Sequence, residues 1–436
     1  MAKAERNIPT GLYVHIPFCV KKCAYCDFLS FRATEETKNN YVDLLCEEIE
    51  REAVRYPNHR GTTVFFGGGT PTVLPPKQLE RILWKLKKCF SVNLADMSRD
   101  KYVGDEEEPE ITLECNPGTV TEEDLRRLRA AGFGRLSVGL QSARDEELRK
   151  LGRIHTWEEF LKTYDAARRA GFQNINVDIM SALPGQSVES YVNTIERAAA
   201  LRPEHISAYS LIIEEGTPFY ERYGEAEEQR KKDGEDKEHL LPTEEEERRM
   251  YELTEEILER KGYHRYEISN YALPGCECRH NMTYWRRGDY LGFGLGAASL
   301  MENRRFVKPG NLREYREVLQ SGKKVRDGRK EREGGRDANP AGEKRNCSQD
   351  ESLHQNVQQL SVQEQMEEFL FLGLRLTEGI SAEEFEKCFD VPVGEIYGKV
   401  LKKLQSQGLL VQNGDRIFLT GRGLDVSNMV FAEFLL

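Results

Sequence analysis

Short apolar runs alternate with helically spaced apolar positions through the first two-thirds of the chain. Leu12-Tyr-Val-His-Ile16 and Thr63-Val-Phe-Phe66 read as strands on either side of an amphipathic helix over 35–56. The same rhythm predicts strands near 111–114, 135–140, 175–178 and 206–210, separated by helices near 121–131, 156–170 and 187–200. Strand, helix, strand in this order implies parallel βαβ units, and about six of them predict a partly open (β/α) barrel with its site at the carboxyl ends of the strands. The later pattern changes to helices over 362–374 and 396–404, with a capping signal at Ser381-Ala-Glu-Glu384 and a hairpin around Asn413-Gly414. The expected fold class is therefore α/β: a partial (β/α)6 barrel over 1–320 and a small helical, winged-helix-like domain over 359–436.

Three segments interrupt this pattern. Residues 97–109 read as a surface loop, and 221–247, dominated by Glu, Lys and Arg, as a solvated connection ending in an N-capped helix. Residues 321–358 are nearly free of large apolar side chains, which predicts disorder because too little surface can be buried to offset the ordering entropy.

Composition narrows the class. With 39% hydrophobic and 31% charged residues the chain suits a soluble globular protein, and no run approaches the ~18 apolar residues of a membrane span. A net charge of −11 argues against general nucleic-acid binding, which rests on basic patches. Ten cysteines in 436 residues are too sparse for a disulfide scaffold. Reduced thiols, and the lack of an apolar signal core before the first strand, point to the cytoplasm.

Three of those cysteines form Cys19-Val-Lys-Lys-Cys23-Ala-Tyr-Cys26, directly after a strand-like segment. Structural zinc takes four closed ligands. A 4Fe–4S cubane held by three cysteines leaves one iron open to a substrate or cosubstrate. A buried set of thiols without function is the plain alternative. Gly67-Gly-Gly-Thr-Pro-Thr72 follows the next strand, where absent side chains let a ligand approach the backbone. Glu114, Gln141, Arg153 and Asp178 fall at or near later strand ends. There they can take hydroxyls, an ammonium or a carboxylate, or act merely as caps and surface ion pairs.

The CxxxCxxC run resembles the radical S-adenosylmethionine (SAM) signature. Together with Tyr13-Val-His-Ile-Pro-Phe-Cys19, the glycine run, Ser137-Val-Gly-Leu-Gln-Ser142, Leu151-Gly-Arg153, Leu183-Pro-Gly-Gln186 and His280-Asn-Met-Thr-Tyr-Trp285, it resembles the HemN/HemW family. The resemblance implies that Cys19, Cys23 and Cys26 hold a 4Fe–4S cluster. It implies that Tyr13, Gly68, Gly69, Thr70, Glu114, Gln141, Arg153 and Asp178 contact SAM, with Tyr25 packing on the adenine. The HNxxYW motif implies haem, with His280 and Tyr284 as candidate ligands; a core histidine with aromatic packing neighbours is the plain alternative.

Two departures separate the branches of the family. Phe28 stands where the oxygen-independent coproporphyrinogen III oxidases have a fourth cysteine, and only twelve residues precede Tyr13. Both favour the branch of haem chaperones, which deliver haem to acceptor haemoproteins of the respiratory chain, over oxidative decarboxylation of porphyrinogen propionates. Peripheral membrane association stays open, as do the oligomeric state and a soft-metal reading of Cys276-Glu-Cys278-Arg-His280. Without a basic recognition helix, the C-terminal domain reads as a lid or docking module rather than a DNA binder.

Overall fold

A computed structural model describes residues 8–92, 108–233, 240–321 and 353–435. Six parallel strands run in chain order: β1 (Ile8–Ile16), β2 (His59–Gly68), β3 (Glu110–Cys115), β4 (Arg135–Gln141), β5 (Asn174–Ser181) and β6 (His205–Ser210). Between them lie α1 (Glu35–Arg55), α2 (Pro76–Phe90), α3 (Glu122–Ala131), α4 (Asp145–Lys150), α5 (Trp157–Arg169) and α6 (Val188–Ala200). The alternation of β4 shows how sequence sets the two faces. Leu136, Val138 and Leu140 join the apolar core, whereas Arg135, Ser137, Gly139 and Gln141 line an interior cavity. Thr121 and Thr156 start α3 and α5 with reciprocal capping boxes, which fix where each crossover begins.

The sheet does not close. After α7 (Pro218–Asp233) and α8 (Glu244–Arg260), β7 (His264–Arg265) and β8 (Asn270–Ala272) extend it antiparallel beyond β6. Beyond α9 (Arg279–Trp285), β9 (Tyr290–Phe293) pairs in parallel with β1. The other edge is then built outward by β10 (Ala298–Met301), β11 (Arg304–Val307) and, after α10 (312–321), β12 (Gln355–Gln359). The result is one open twelve-stranded sheet, matching the expected partial barrel.

Two expectations are corrected. The charged segment from 221 is not a solvated connection: α7 occupies it as far as Asp233, because Phe219 and Tyr223 supply a buried stripe against Leu183 and Leu211. Disorder does not extend to 358 either. Leu353 and His354 are buried, and the His354 ring stacks on Phe306 at 3.7 Å while bonding Glu52 at 2.9 Å. Residues 322–352, with Cys347, lie outside the described residues, as does most of the expected 97–109 loop.

The C-terminal unit contains α11 (Val362–Gly373), β13 (Ile380–Ser381), α12 (Ala382–Phe389), α13 (Val393–Ser406), β14 (Leu410–Asn413) and β15 (Arg416–Leu419). Its three-stranded sheet packs on its own core of Phe385, Tyr397, Leu401, Ile417 and Phe434. Glu368 of α11 receives Arg287 at 3.0 Å and Arg305 at 2.8 Å, tying this unit to the sheet. Among the described residues no helix is long and apolar enough to cross a membrane.

Candidate functional site

A cavity of about 680 Å³ opens where the strands of the barrel end. Cys19, Cys23 and Cys26 lie on one of its walls, and Tyr13, Tyr25, Gly68, Gly69, Thr70, Glu114, Gln141, Arg153 and Asp178 line it as well. The twelve residues come from strands β1 to β5 and the segments that follow them, so only the folded barrel assembles them.

The glycine turn is required by close approach. Gly68 has φ +108° and a Cβ there would meet the His15 ring at 2.4 Å; at Gly69 it would stand 2.8 Å from the Phe18 carbonyl. The amides of Gly69 and Thr70 instead donate to Ile16 and Phe18, at 2.9 and 2.8 Å, stitching the turn to the start of the cysteine loop. That loop is held elsewhere too: the Ala24 amide donates to Leu151, and the Phe219 amide to the Ala24 carbonyl. Tyr25 packs its ring against Phe219 at 6.3 Å.

A relay of polar contacts joins two of the cysteines. Cys19 Sγ lies 3.6 Å from Thr70 Oγ1; Asn116 Nδ2 donates to that hydroxyl at 2.7 Å; Arg153 donates to Asn116 Oδ1 at 2.7 Å and approaches Cys23 Sγ at 3.8 Å. Arg153 also donates to the Gly139 carbonyl at 2.8 Å. Asn116 was not among the sequence candidates. In Glu114-Cys-Asn-Pro-Gly118 it reads as an ordinary turn former, and only the tertiary contacts reveal it.

Buried charge dominates the interior. Burial, helped by repulsion from Asp178, pushes Glu114 up to about 8, although the Gly68 amide and Arg135 pull the other way. Asp178 is raised by burial too, against hydrogen bonds from Asn176 at 2.7 Å and Ser137 at 3.2 Å. Arg135, a second residue missed from sequence, is 3% exposed and lines the cavity two residues below Ser137; its Nε has no partner among the described residues. It offsets the carboxylates without a salt bridge. Gln141 sits in the left-handed region at φ +68°, and its side-chain oxygen accepts from Tyr209 at 3.1 Å.

Comparison with known proteins fits this arrangement. The Radical SAM superfamily matches residues 13–198 and the HemN C-terminal domain matches 360–426. A Lactococcus lactis protein named heme chaperone HemW is 32% identical over 430 residues, covering 98% of both chains. The Bacillus subtilis protein of that name is 32% identical over 97% of this chain and 98% of its own. The chain belongs to the HemN/HemW family of radical SAM proteins. A Danio rerio relative, named radical S-adenosyl methionine domain-containing protein 1, mitochondrial, is 32% identical over 96% of this chain and 84% of its own. The Escherichia coli coproporphyrinogen III oxidase HemN has the same fold, with a TM-score of 0.75 at 24% identity, covering all of this chain and 91% of that one.

Family membership implies a 4Fe–4S cluster and SAM, and the residues present fit both. The three thiols are partly exposed on one cavity wall, unlike the buried Cys115, Cys276 and Cys278. Among the described residues no three or more His, Cys, Asp or Glu side chains converge on a single metal-ion position. A cubane makes no such demand, since each thiolate binds a different iron.

Two residues of the HNxxYW motif, His280 and Tyr284, lie apart from the cavity lining. His280 is 1% exposed and stacks on Phe65; its Nδ1 pairs with Thr63 Oγ1 and its Nε2 with Tyr284 Oη, both at 2.7 Å. Both imidazole nitrogens are thus engaged within the fold. Burial also pulls His280 down to about 3. Glu110 accepts the Arg279 and His280 amides at 3.0 Å each, and Trp285 lies under the Arg375 guanidinium at 4.3 Å, so the motif braces α9 between β2, β3 and the C-terminal unit. Asn281 of the motif does line the cavity. Cys276 and Cys278 are buried as well, Cys278 Sγ donates to Glu110 at 3.6 Å, and among the described residues they join no group of three or more side chains that could hold a metal ion.

Proposed function

We propose that this protein is a cytoplasmic haem chaperone, which binds haem beside a SAM-liganded 4Fe–4S cluster and delivers it to acceptor haemoproteins, those of the respiratory chain in particular. The observation that carries this reading is similarity along almost the entire chain to proteins named heme chaperone HemW. Phe28 agrees with it: a phenylalanine, 68% exposed, stands where the decarboxylating branch of the family has a cysteine.

When bound, a cluster with one open iron and SAM supplies one-electron cleavage of the sulfonium. The chain's own contribution is positional. Cys19, Cys23 and Cys26 hold the cluster; the turn at Gly68, Gly69 and Thr70 presents backbone to the amino-acid part of SAM; Glu114 and Asp178 accept an ammonium or ribose hydroxyls. Arg153, whose guanidinium is shared among Asn116, Gly139 and Cys23, fixes the rim on which these groups meet.

The test is to reconstitute the protein anaerobically, titrate it with hemin, and assay coproporphyrinogen decarboxylation on the same preparation. Stoichiometric haem uptake without turnover is expected. Robust decarboxylation with no haem uptake would replace this reading with that of a porphyrinogen oxidase.

A further inference from the structure

The mouth of the cavity carries apolar groups that neither the cluster nor SAM explains. The loop after β1, which bears the cysteines, and the loop after β6 come from the first and last strands of the six-stranded parallel array. They close on each other at the Phe219 amide to Ala24 carbonyl bond, 3.0 Å long. From the first projects Phe28 and from the second Ile212, each 68% exposed and each lining the same cavity. Exposed large apolar side chains in the lining of one cavity fit an apolar ligand there.

Lys21 and Lys22 line the cavity from the cysteine loop, as do Asp27 of the same loop and Glu214 after β6. A ligand with an apolar body and anionic groups on one edge finds cations for those anions in the two lysines.

We propose that haem seats here, its macrocycle between Phe28 and Ile212 and its propionates on Lys21 and Lys22, instead of on His280. This rests on the haem-chaperone reading and gives it a location. It also explains why the imidazole of His280 can be fully committed inside the fold. A planar aromatic ligand gains from stacking on Phe28 and from the area both side chains lose to solvent. In this position haem would lie at the mouth of the cavity whose wall carries the three cysteines.

The experiment is an anaerobic hemin titration of the full-length, cluster-reconstituted protein, followed by absorbance, alongside three variants. Phe28→Ser with Ile212→Ser should weaken hemin binding about tenfold or more while leaving iron and sulfide content unchanged, since both side chains are solvent-facing. Lys21→Glu with Lys22→Glu should weaken hemin severalfold yet leave hemin dimethyl ester, which lacks the carboxylates, unaffected. His280→Ala should keep the wild-type haem spectrum; loss of thermal stability without a spectral change is the expected signature of a brace. Wild-type uptake with superimposable titrations for both mouth variants would overturn this site while sparing the chaperone reading. A haem spectrum abolished by His280→Ala in folded protein would return the ligand to the motif. No uptake by the wild type would sink both.

Discussion

Glu114 makes the binding of a cationic ligand depend on pH in a way that can be worked out from its surroundings. Its side chain lines the cavity, and burial, with Asp178 nearby, pushes its carboxyl up to about 8 instead of 4.5. Because the folded-state value is raised, Glu114 contributes stability that is fully present below pH about 4.5 and is lost as pH rises through about 8. The separation corresponds to roughly 5 kcal/mol at about 1.4 kcal/mol per pH unit. At pH 7 only about one-tenth of the molecules carry an ionised Glu114, so a ligand whose ammonium needs the carboxylate binds about tenfold below its plateau. SAM affinity should therefore climb from pH 6 to 8, approaching tenfold per unit, and level off above. Equilibrium dialysis of the reconstituted protein with SAM across pH 6–9 measures this directly. Glu114→Gln, which is neutral at every pH, should bind SAM weakly with most of the slope removed, any residue belonging to Asp178. Without ligand it should be more stable than the wild type at pH 9. A flat wild-type profile between pH 6 and 8, or profiles of equal slope in the two proteins, would refute the assignment of Glu114 as the titrating partner.

Other expectations follow from single contacts. Cys23→Ala should remove the visible absorbance of the 4Fe–4S cluster after reconstitution; a full cluster in that variant contradicts the ligand set. Gly68→Ala places a Cβ on the His15 ring in a backbone conformation with φ +108°, and should cost about 2–4 kcal/mol in a denaturant melt as well as SAM binding. Asn116→Leu breaks the relay between Thr70 and Arg153 and leaves buried partners unpaired, so it should lower SAM affinity at least tenfold while cluster content, read by iron analysis, is kept. Lys308→Met strands Glu48 and Glu52, which the lysine meets at 3.2 and 2.9 Å in a fully buried site; a loss of about 3–5 kcal/mol is expected, visible in the same melt.

The parallel strands and the cysteine loop could be read from the chain because their signals are local. Apolar runs such as Leu136-Ser-Val-Gly-Leu140 declare a strand, and CxxxCxxC declares its own chemistry. α2 is equally legible, with Leu79, Ile82, Leu83, Leu86 and Phe90 on one face. α7 was hidden because its charged residues outnumber the two aromatics that bury it. β7 to β12 have two to five residues each, too few for a period to show; they exist because their neighbours in the sheet supply the hydrogen bonds. The direction in which His280 points cannot be read from His-Asn-x-x-Tyr-Trp. On a helix of seven residues, His280 and Tyr284 share one face, and whether that face meets solvent or β2 depends on where Glu110 anchors the first turn.

That dependence extends to the cluster loop. Its eight residues from Cys19 to Cys26 are held by residues distant in the chain: Thr70 after β2, Arg153 after α4, Leu151 at the end of that helix, and Phe219 at the start of α7. A loop fixed from so many directions holds its thiols in place only when the barrel is folded. The SAM rim is built from those same junctions, Thr70 and Arg153 belonging to both. Disturbing the rim therefore disturbs the thiols, and the reverse, through Asn116 and the hydrogen bonds on either side of it. The two halves of the site form as one unit, and this coupling, more than any single ligand, is what the order of strands β1 to β6 provides.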